Sequence, residues 1–252
     1  MEQQRQAAGR TSGSGLHRGV FSRAIEELFW RLPYSLRRAV ARTCGVSSGI
    51  PPSLATEVLQ RKILFIQVPK TAGVSVQHSL FGHTLFRHKW FRQFELEFSK
   101  SQLASLFKFA FVRNPWDRIV SAWTFLREGG MNEQDKEWFS AHAAQFPDFE
   151  SFVLNWLARQ DVVRAYVHFQ PQVVFVRSGR GRVELDFVGR FESLTADFER
   201  LSQLLGRPAV LQSRNRTPGR EAGSYRDYYT PKSAEVVARL YRDDIRTFGY
   251  EF

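Results

Sequence analysis

Apolar positions in this chain follow two different spacings. Between residues 20 and 43, Phe21, Ile25, Leu28, Phe29, Leu32, Leu36 and Val40 recur at helical intervals, with Arg23, Arg31, Arg37, Arg38 and Arg42 among them. Pro33 lacks an N–H and obstructs the preceding turn, so the pattern predicts two short helices that part there. At 63–68 the spacing changes to a nearly continuous apolar run, bounded by Arg61, Lys62 and Pro69, which suits a strand covered on both faces. Val74, Gln77, His78 and Phe81 resume helical spacing up to Gly82. The same order returns with the run 107–112, a turn at Asn114 and Pro115, and a helix from about Asp117 with Ile119, Val120, Trp123 and Leu126 as its apolar face.

Further on, 149–158 reads as a helix, 173–176 and 182–187 as strands around a turn at 178–181, and 195–205 as a helix ended by Gly206. Thr230 and Pro231 supply a cap and first position for a last helix running through Val237, Leu240, Tyr241 and Ile245. Strand, turn and helix in alternation predict an α/β fold with a central parallel sheet. Residues 1–15, polar and rich in Gly, Ser and Gln, are expected to form a flexible tail. Residues 16–52 form a basic helical leader and linker, and 53–252 the main domain. The leader's amphipathic face is expected to pack on its own domain, contact with an anionic membrane surface being the alternative.

With 252 residues, 43% of them apolar, the chain can bury one sizeable core. The formal charge of +11 attracts anions and narrows a ligand only to its sign. Cys44 is the single cysteine, which excludes an intrachain disulfide and paired-cysteine metal sets. No apolar run has the roughly 18 residues a membrane span requires, and the polar start is unlike a secretory signal. The expected location is cytoplasmic.

Two segments carry chemistry. Gln67-Val68-Pro69-Lys70-Thr71-Ala72-Gly73-Val74-Ser75 lies between a buried strand and a helix start, where backbone N–H groups point outward and can hold an oxyanion. Gly73 allows close backbone approach, Lys70 brings a point charge, and Thr71 and Ser75 add hydroxyls. The kinase and ATPase P-loop places its lysine after the last glycine, whereas Lys70 precedes the only glycine of this turn. The bland alternative is an ordinary strand-to-helix turn with an exposed lysine. The second segment, 109–123, repeats the geometry with Arg113 at the strand end and Ser121 on the following helix, which implies a second phosphate grip. A surface salt bridge is the bland reading of Arg113.

Pro-Lys-Thr-Ala-Gly-Val-Ser (69–75) followed by Phe-Val-Arg-Asn-Pro-Trp-Asp-Arg-Ile-Val-Ser (111–121) resembles the two donor-binding elements of the carbohydrate-type family 2 sulfotransferases. The stretches 188–194 with Asp197 and Phe198, and 225–230 through Phe248-Gly249-Tyr250, are similar to downstream parts of that family. The resemblance implies a three-layer sandwich with a central parallel sheet and a P-loop-like nucleotide-binding turn at the strand C-termini, and a sulfotransferase domain that uses 3′-phosphoadenosine-5′-phosphosulfate (PAPS) without a metal. Lys70, Thr71, Gly73, Val74 and Ser75 would hold the 5′-phosphosulfate, Arg113 and Ser121 the 3′-phosphate, and Arg226 or Arg220 would close over the nucleotide. Acceptor choice would rest on the loops 81–108 and 128–168, a carbohydrate or glycoconjugate being the expected acceptor.

Transfer of a sulfuryl group needs in-line attack with charge spreading onto peripheral oxygens, so positioning and electrostatics dominate. Lys70 would stabilise charge on the bridging oxygen, and a base would take the acceptor's proton. Among His78, His83, His88, His142 and His168, His88 is the expected base, because related sequences place a histidine after the phosphosulfate loop and because Arg87 and Lys89 favour its neutral form. His83 is its rival, and His168 falls in a segment the family sets beside the acceptor cleft. Trp138 and Phe139 suggest a mobile flap over the acceptor. A non-catalytic nucleotide- or sulfated-glycan-binding protein on the same fold is the alternative function. A nucleic-acid partner rests on charge alone and is not expected.

Overall fold

The computed structural model describes residues 23–212 and 224–252. The leader forms α1 (Arg23–Arg31) and α2 (Tyr34–Thr43), parted at Pro33 as its ring requires. Then come α3 (Pro52–Arg61), β1 (Ile63–Ile66), α4 (Gly73–Phe81), α5 (Phe91–Glu97), α6 (Lys100–Ala104), β2 (Phe107–Val112) and α7 (Pro115–Arg127). The second half holds α8 (Glu133–His142), α9 (Phe149–Asn155), α10 (Gln172–Val176), β3 (Phe187–Arg190), α11 (Leu194–Leu204), α12 (Pro231–Leu240) and α13 (Arg242–Phe248).

The three strands lie in the order β1-β2-β3, all parallel, with Ile63 opposite Phe107 and Phe109 opposite Phe187. Helices flank the sheet, which is why every residue of β1 is buried and apolar. Phe65 stacks on Phe109 with ring centroids 4.7 Å apart. In β3, Gly189 lies so close to Phe111 that a Cβ would come 2.4 Å from its ring. A second core joins α7, α9 and α12 through Trp123, Phe149, Phe152, Val237 and Tyr241.

A third cluster, Phe29, Trp30, Ala41, Val46 and Leu96, seats the leader on the domain. Tyr34 and Arg37 add side-chain hydrogen bonds to the carbonyls of Glu97 and Glu95 at 2.8 and 3.0 Å. The leader thus buries one face against its own chain, while Ile25, Leu28 and Leu36 stay exposed. Among the described residues no helix is long and apolar enough to cross a membrane.

Four expected elements differ. Residues 173–176 belong to α10 rather than to a strand, because the buried Asp244 carboxylate accepts from the N–H groups of Gln172 and Val173 at 2.8 and 2.9 Å and so caps a helix there. The stretch 182–187 is an extended approach with one antiparallel bridge, Arg177 to Val183, and the strand proper starts at Phe187. The last helix breaks at Tyr241, whose buried hydroxyl donates to the Phe169 carbonyl at 2.6 Å. The helix expected at 149–158 ends at Asn155 and continues as a 3-10 turn, Leu157–Arg159.

Candidate active site

β1 delivers the chain into a turn with two non-glycine residues in the left-handed region, Lys70 at φ 67° and Ala72 at φ 63°. Each such residue costs on the order of 1 kcal/mol, so the turn persists only because its surroundings hold it. Thr71, fully buried, donates from Oγ1 to the Val68 carbonyl at 3.0 Å and ties the turn together; its hydroxyl proton is used there. α4 starts at Gly73 with no side-chain cap, so Gly73, Val74 and Ser75 form the open N-terminal turn of a helix directly beyond the strand. Gly73 is required by a neighbour: a Cβ would sit 2.8 Å from Cγ of Gln67.

The Lys70 ammonium lies 3.6 Å over the ring of Phe125 on α7. Burial above all, and then the Arg113 charge, pulls its pKa down to about 7 against the opposing influence of Asp135.

β2 delivers the second turn. The Asn114 side chain accepts from the N–H of Trp116 at 3.1 Å and Pro115 takes the first helical position, so α7 starts sharply. The Arg113 side chain, 3% exposed, donates from Nε to Asp117 at 2.7 Å, donates from Nη1 to the Lys70 carbonyl at 3.2 Å and stacks on Phe191 at 3.9 Å. Its main chain exchanges two hydrogen bonds with the side chain of Gln172, at 2.9 and 2.8 Å. Ser121, two turns into α7, is buried. Because Ile66 and Ala110 are paired in the sheet, both turns open at the same edge.

Arg226 belongs to a 3-10 turn, Tyr225–Tyr228, and is exposed, with its guanidinium 4.8 Å from the ring centroid of Tyr225 and 5.6 Å from that of Phe252. The Tyr225 hydroxyl accepts from Asn114 Nδ2 at 3.3 Å, which puts Arg226 beside the Arg113 turn. Arg220 lies outside the described residues.

Of the five histidines considered, two stand at Lys70. His88 donates from Nδ1 to the Gln67 carbonyl at 3.1 Å, which leaves Nε2 as the lone-pair nitrogen of the neutral ring. Burial above all lowers its pKa to about 3, with smaller contributions from His168, Lys70 and Arg87; the Gln67 contact opposes them. The expectation that flanking charges keep His88 neutral holds for Arg87 in a minor degree. His168 meets His88 with ring centroids 5.8 Å apart and Phe125 at 5.1 Å. His83 sits at the surface 4.0 Å from Glu57, His78 faces Thr84 at 3.3 Å, and His142 stacks on Trp138.

Trp138 is no flap. Its ring stacks on Tyr166 at 4.7 Å and meets Trp156 and Phe169, so α8 is packed into the second core. The same helix brings in Asp135, which sequence reasoning missed. Asp135 is buried and takes hydrogen bonds from the Met131 N–H and the Tyr166 hydroxyl at 2.9 and 2.5 Å, with His168 Nε2 at 3.5 Å. Burial opposes its ionisation, but these partners together hold it well down, at about 2. Arg118, fully buried, also escaped notice: it donates to the carbonyls of His168 and Gln170 at 3.0 and 2.7 Å and fixes that segment.

A separate cleft of about 880 Å³ between α1 and the turn after α10 is lined by arginines including Arg31, Arg180, Arg182 and Arg239, and contains none of the residues named above for the two turns. A family model described as the sulfotransferase family matches residues 59–251. Comparison with curated proteins and with solved structures gives no match.

Proposed function

The chain belongs to the sulfotransferase family, and from that premise we propose that it moves a sulfuryl group from PAPS to a hydroxyl of a carbohydrate or glycoconjugate acceptor. The observation that carries the donor assignment is the bond from Arg113 Nη1 to the Lys70 carbonyl, which joins two anion-adapted turns into one site. One turn offers an uncapped helix start and a lysine, the other a buried guanidinium. A ligand with phosphate groups at both ends of a nucleoside matches that pairing; a 5′-nucleotide alone would engage only half of it.

In this reading Gly73, Val74 and Ser75 present backbone N–H groups to the 5′-phosphosulfate, and Thr71 keeps the turn in shape. Lys70 stabilises the charge that develops on the bridging oxygen as the bond to sulfur breaks. Arg113 and Ser121 receive the 3′-phosphate, with Arg226 closing from the exposed side. His88, neutral and with Nε2 unprotonated, takes the acceptor's proton. The donor supplies the sulfuryl group and its leaving phosphate; the protein supplies position, charge and a base. A cytoplasmic location is part of the proposal, supported by a single cysteine, Cys44.

Calorimetric titration with 3′,5′-ADP and 5′-AMP tests the donor site, and radiolabelled PAPS with a panel of saccharides tests transfer. Preference for 3′,5′-ADP of at least tenfold is expected, with loss of binding in Lys70→Ala. Equal affinity for the two nucleotides would remove the role of Arg113 and Ser121.

A further inference from the structure

A proton taken by His88 creates a cation where Lys70 and Arg87 already place positive charge. Among the described residues, no carboxylate acts on His88, and its ring bonds to a backbone carbonyl. The countercharge stands one ring away. Asp135 Oδ1 faces His168 Nε2 at 3.5 Å, and a carboxylate can only accept, so His168 carries its proton on Nε2 and its lone pair on Nδ1. That Nδ1 is buried and has no partner among the described residues, an unusual state for an inward-facing polar atom. The carboxylate is itself fixed by Tyr166 and by the Met131 N–H.

We propose that His168 is a second catalytic imidazole and Asp135 its positioning residue, the two histidines acting as one base in the sulfuryl transfer proposed above, on which this inference rests. As the acceptor oxygen bonds to sulfur and the bridging S–O pair leaves with the phosphate, the hydroxyl proton goes to His88 Nε2. It then passes to His168 Nδ1, where the Asp135 carboxylate balances the new imidazolium. Both lone-pair nitrogens are thereby used, and the new positive charge comes to rest beside the Asp135 carboxylate. The carboxylate-oriented imidazole is the arrangement that makes histidine an effective base elsewhere. The charged and titratable groups around the pair are Lys70, Arg87, Arg118, Asp135 and Tyr166. Burial, Lys70 and Arg118 oppose charging His168, and Asp135 favours it.

The experiment compares pH profiles of kcat/KM for sulfuryl transfer in wild type, Asp135→Asn and His168→Asn, with 3′,5′-ADP affinity as the check on folding. Removing the carboxylate destabilises the protonated pair. The acid limb of the profile should therefore move to lower pH, and the plateau should fall by about a hundredfold, within the range that acid–base catalysis contributes. KM for the acceptor and the affinity for 3′,5′-ADP should stay unchanged. Because Asp135 also holds the Met131 N–H, nitrogen NMR of labelled histidines in the wild type gives a second measurement. His168 should carry its proton on Nε2 and His88 on Nδ1, and on acidification both should titrate in shared steps. Wild-type profiles in both variants, or a His168 protonated on Nδ1 at neutral pH, overturn the proposal. Absence of any transfer by the wild type overturns the sulfotransferase activity itself, and this inference with it.

Discussion

Arg113 donates to the main-chain carbonyl of Lys70 across 3.2 Å, from a residue 43 positions further along the chain. The bond uses one arm of the guanidinium while Nε is bound to Asp117 at 2.7 Å, so two directions of a planar fork are spent on geometry. A lysine at this place carries its donors on one nitrogen and lacks the fixed fork that reaches Asp117 and the Lys70 carbonyl from separate atoms. Arg113→Lys should keep the fold and lose most of the preference for 3′,5′-ADP over 5′-AMP, with affinity down by about 10- to 100-fold. Calorimetry on the two ligands reads it, and an unchanged ratio would show that charge alone suffices.

In the proposed donor site, a Lys70 pKa near 7 makes nucleotide binding a proton-linked event. Above that pH the free protein holds Lys70 largely neutral, and a phosphate placed against it favours the ammonium, so binding takes up a proton. Affinity for 3′,5′-ADP should fall as pH rises from 7 to 9, by up to about tenfold per unit. At pH 8, heats measured in buffers of different ionisation enthalpy should differ by nearly one proton per site. Equal affinity at pH 6.5 and 9 would place the ammonium elsewhere.

Gly73 faces Gln67, so its replacement tests which neighbour needs the space. Gly73→Ala should cost about 1–3 kcal/mol, lowering Tm by several degrees, because the new Cβ meets Gln67 Cγ at 2.8 Å. Truncating Gln67 as well should recover much of the loss in a double-mutant cycle. Failure of that rescue would mean the backbone of the turn, rather than the side chain, sets the limit.

The leader is pinned by Trp30 against Gly179, where a Cβ would come 1.9 Å from the indole. Gly179→Ala should therefore unseat α1, seen as a red shift in tryptophan emission and faster proteolysis between 23 and 50. Affinity for 3′,5′-ADP should stay unchanged, since none of the contacts described for the two turns comes from α1 or α2. A matching fall in affinity would make the leader a prop of the site.

β1, β2 and the helices that follow them are legible in the sequence because burial on both sides forces apolar runs, and because Asn114, Pro115 and Gly82 mark their ends by local chemistry. The turns of the candidate site are legible for the same reason: Lys70 and Arg113 sit just beyond the ends of strands. α10 is not, since a four-residue apolar run fits strand and helix equally. Asp244, more than 70 positions away, decides for the helix. Asp135 is equally hidden among the acids of 128–137, and only packing of α8 against Tyr166 and His168 singles it out. Nor does local sequence tell that Trp138 packs against the second core, because its partners Tyr166, Trp156 and Phe169 come from beyond the next helix.

Asp244 holds the start of α10, Gln172 at that start holds the Arg113 backbone, and Arg113 holds Lys70. These links span 72, 59 and 43 positions, and Asn114 is further tied to Glu251 across 137. Loop-closure entropy makes such distant contacts the slow ones to form. Refolding from denaturant should consequently run in order, with the local strand-turn-helix units compact early and the donor grip complete only when α13 docks. A refolding chain will regain its helical signal before it can hold a nucleotide.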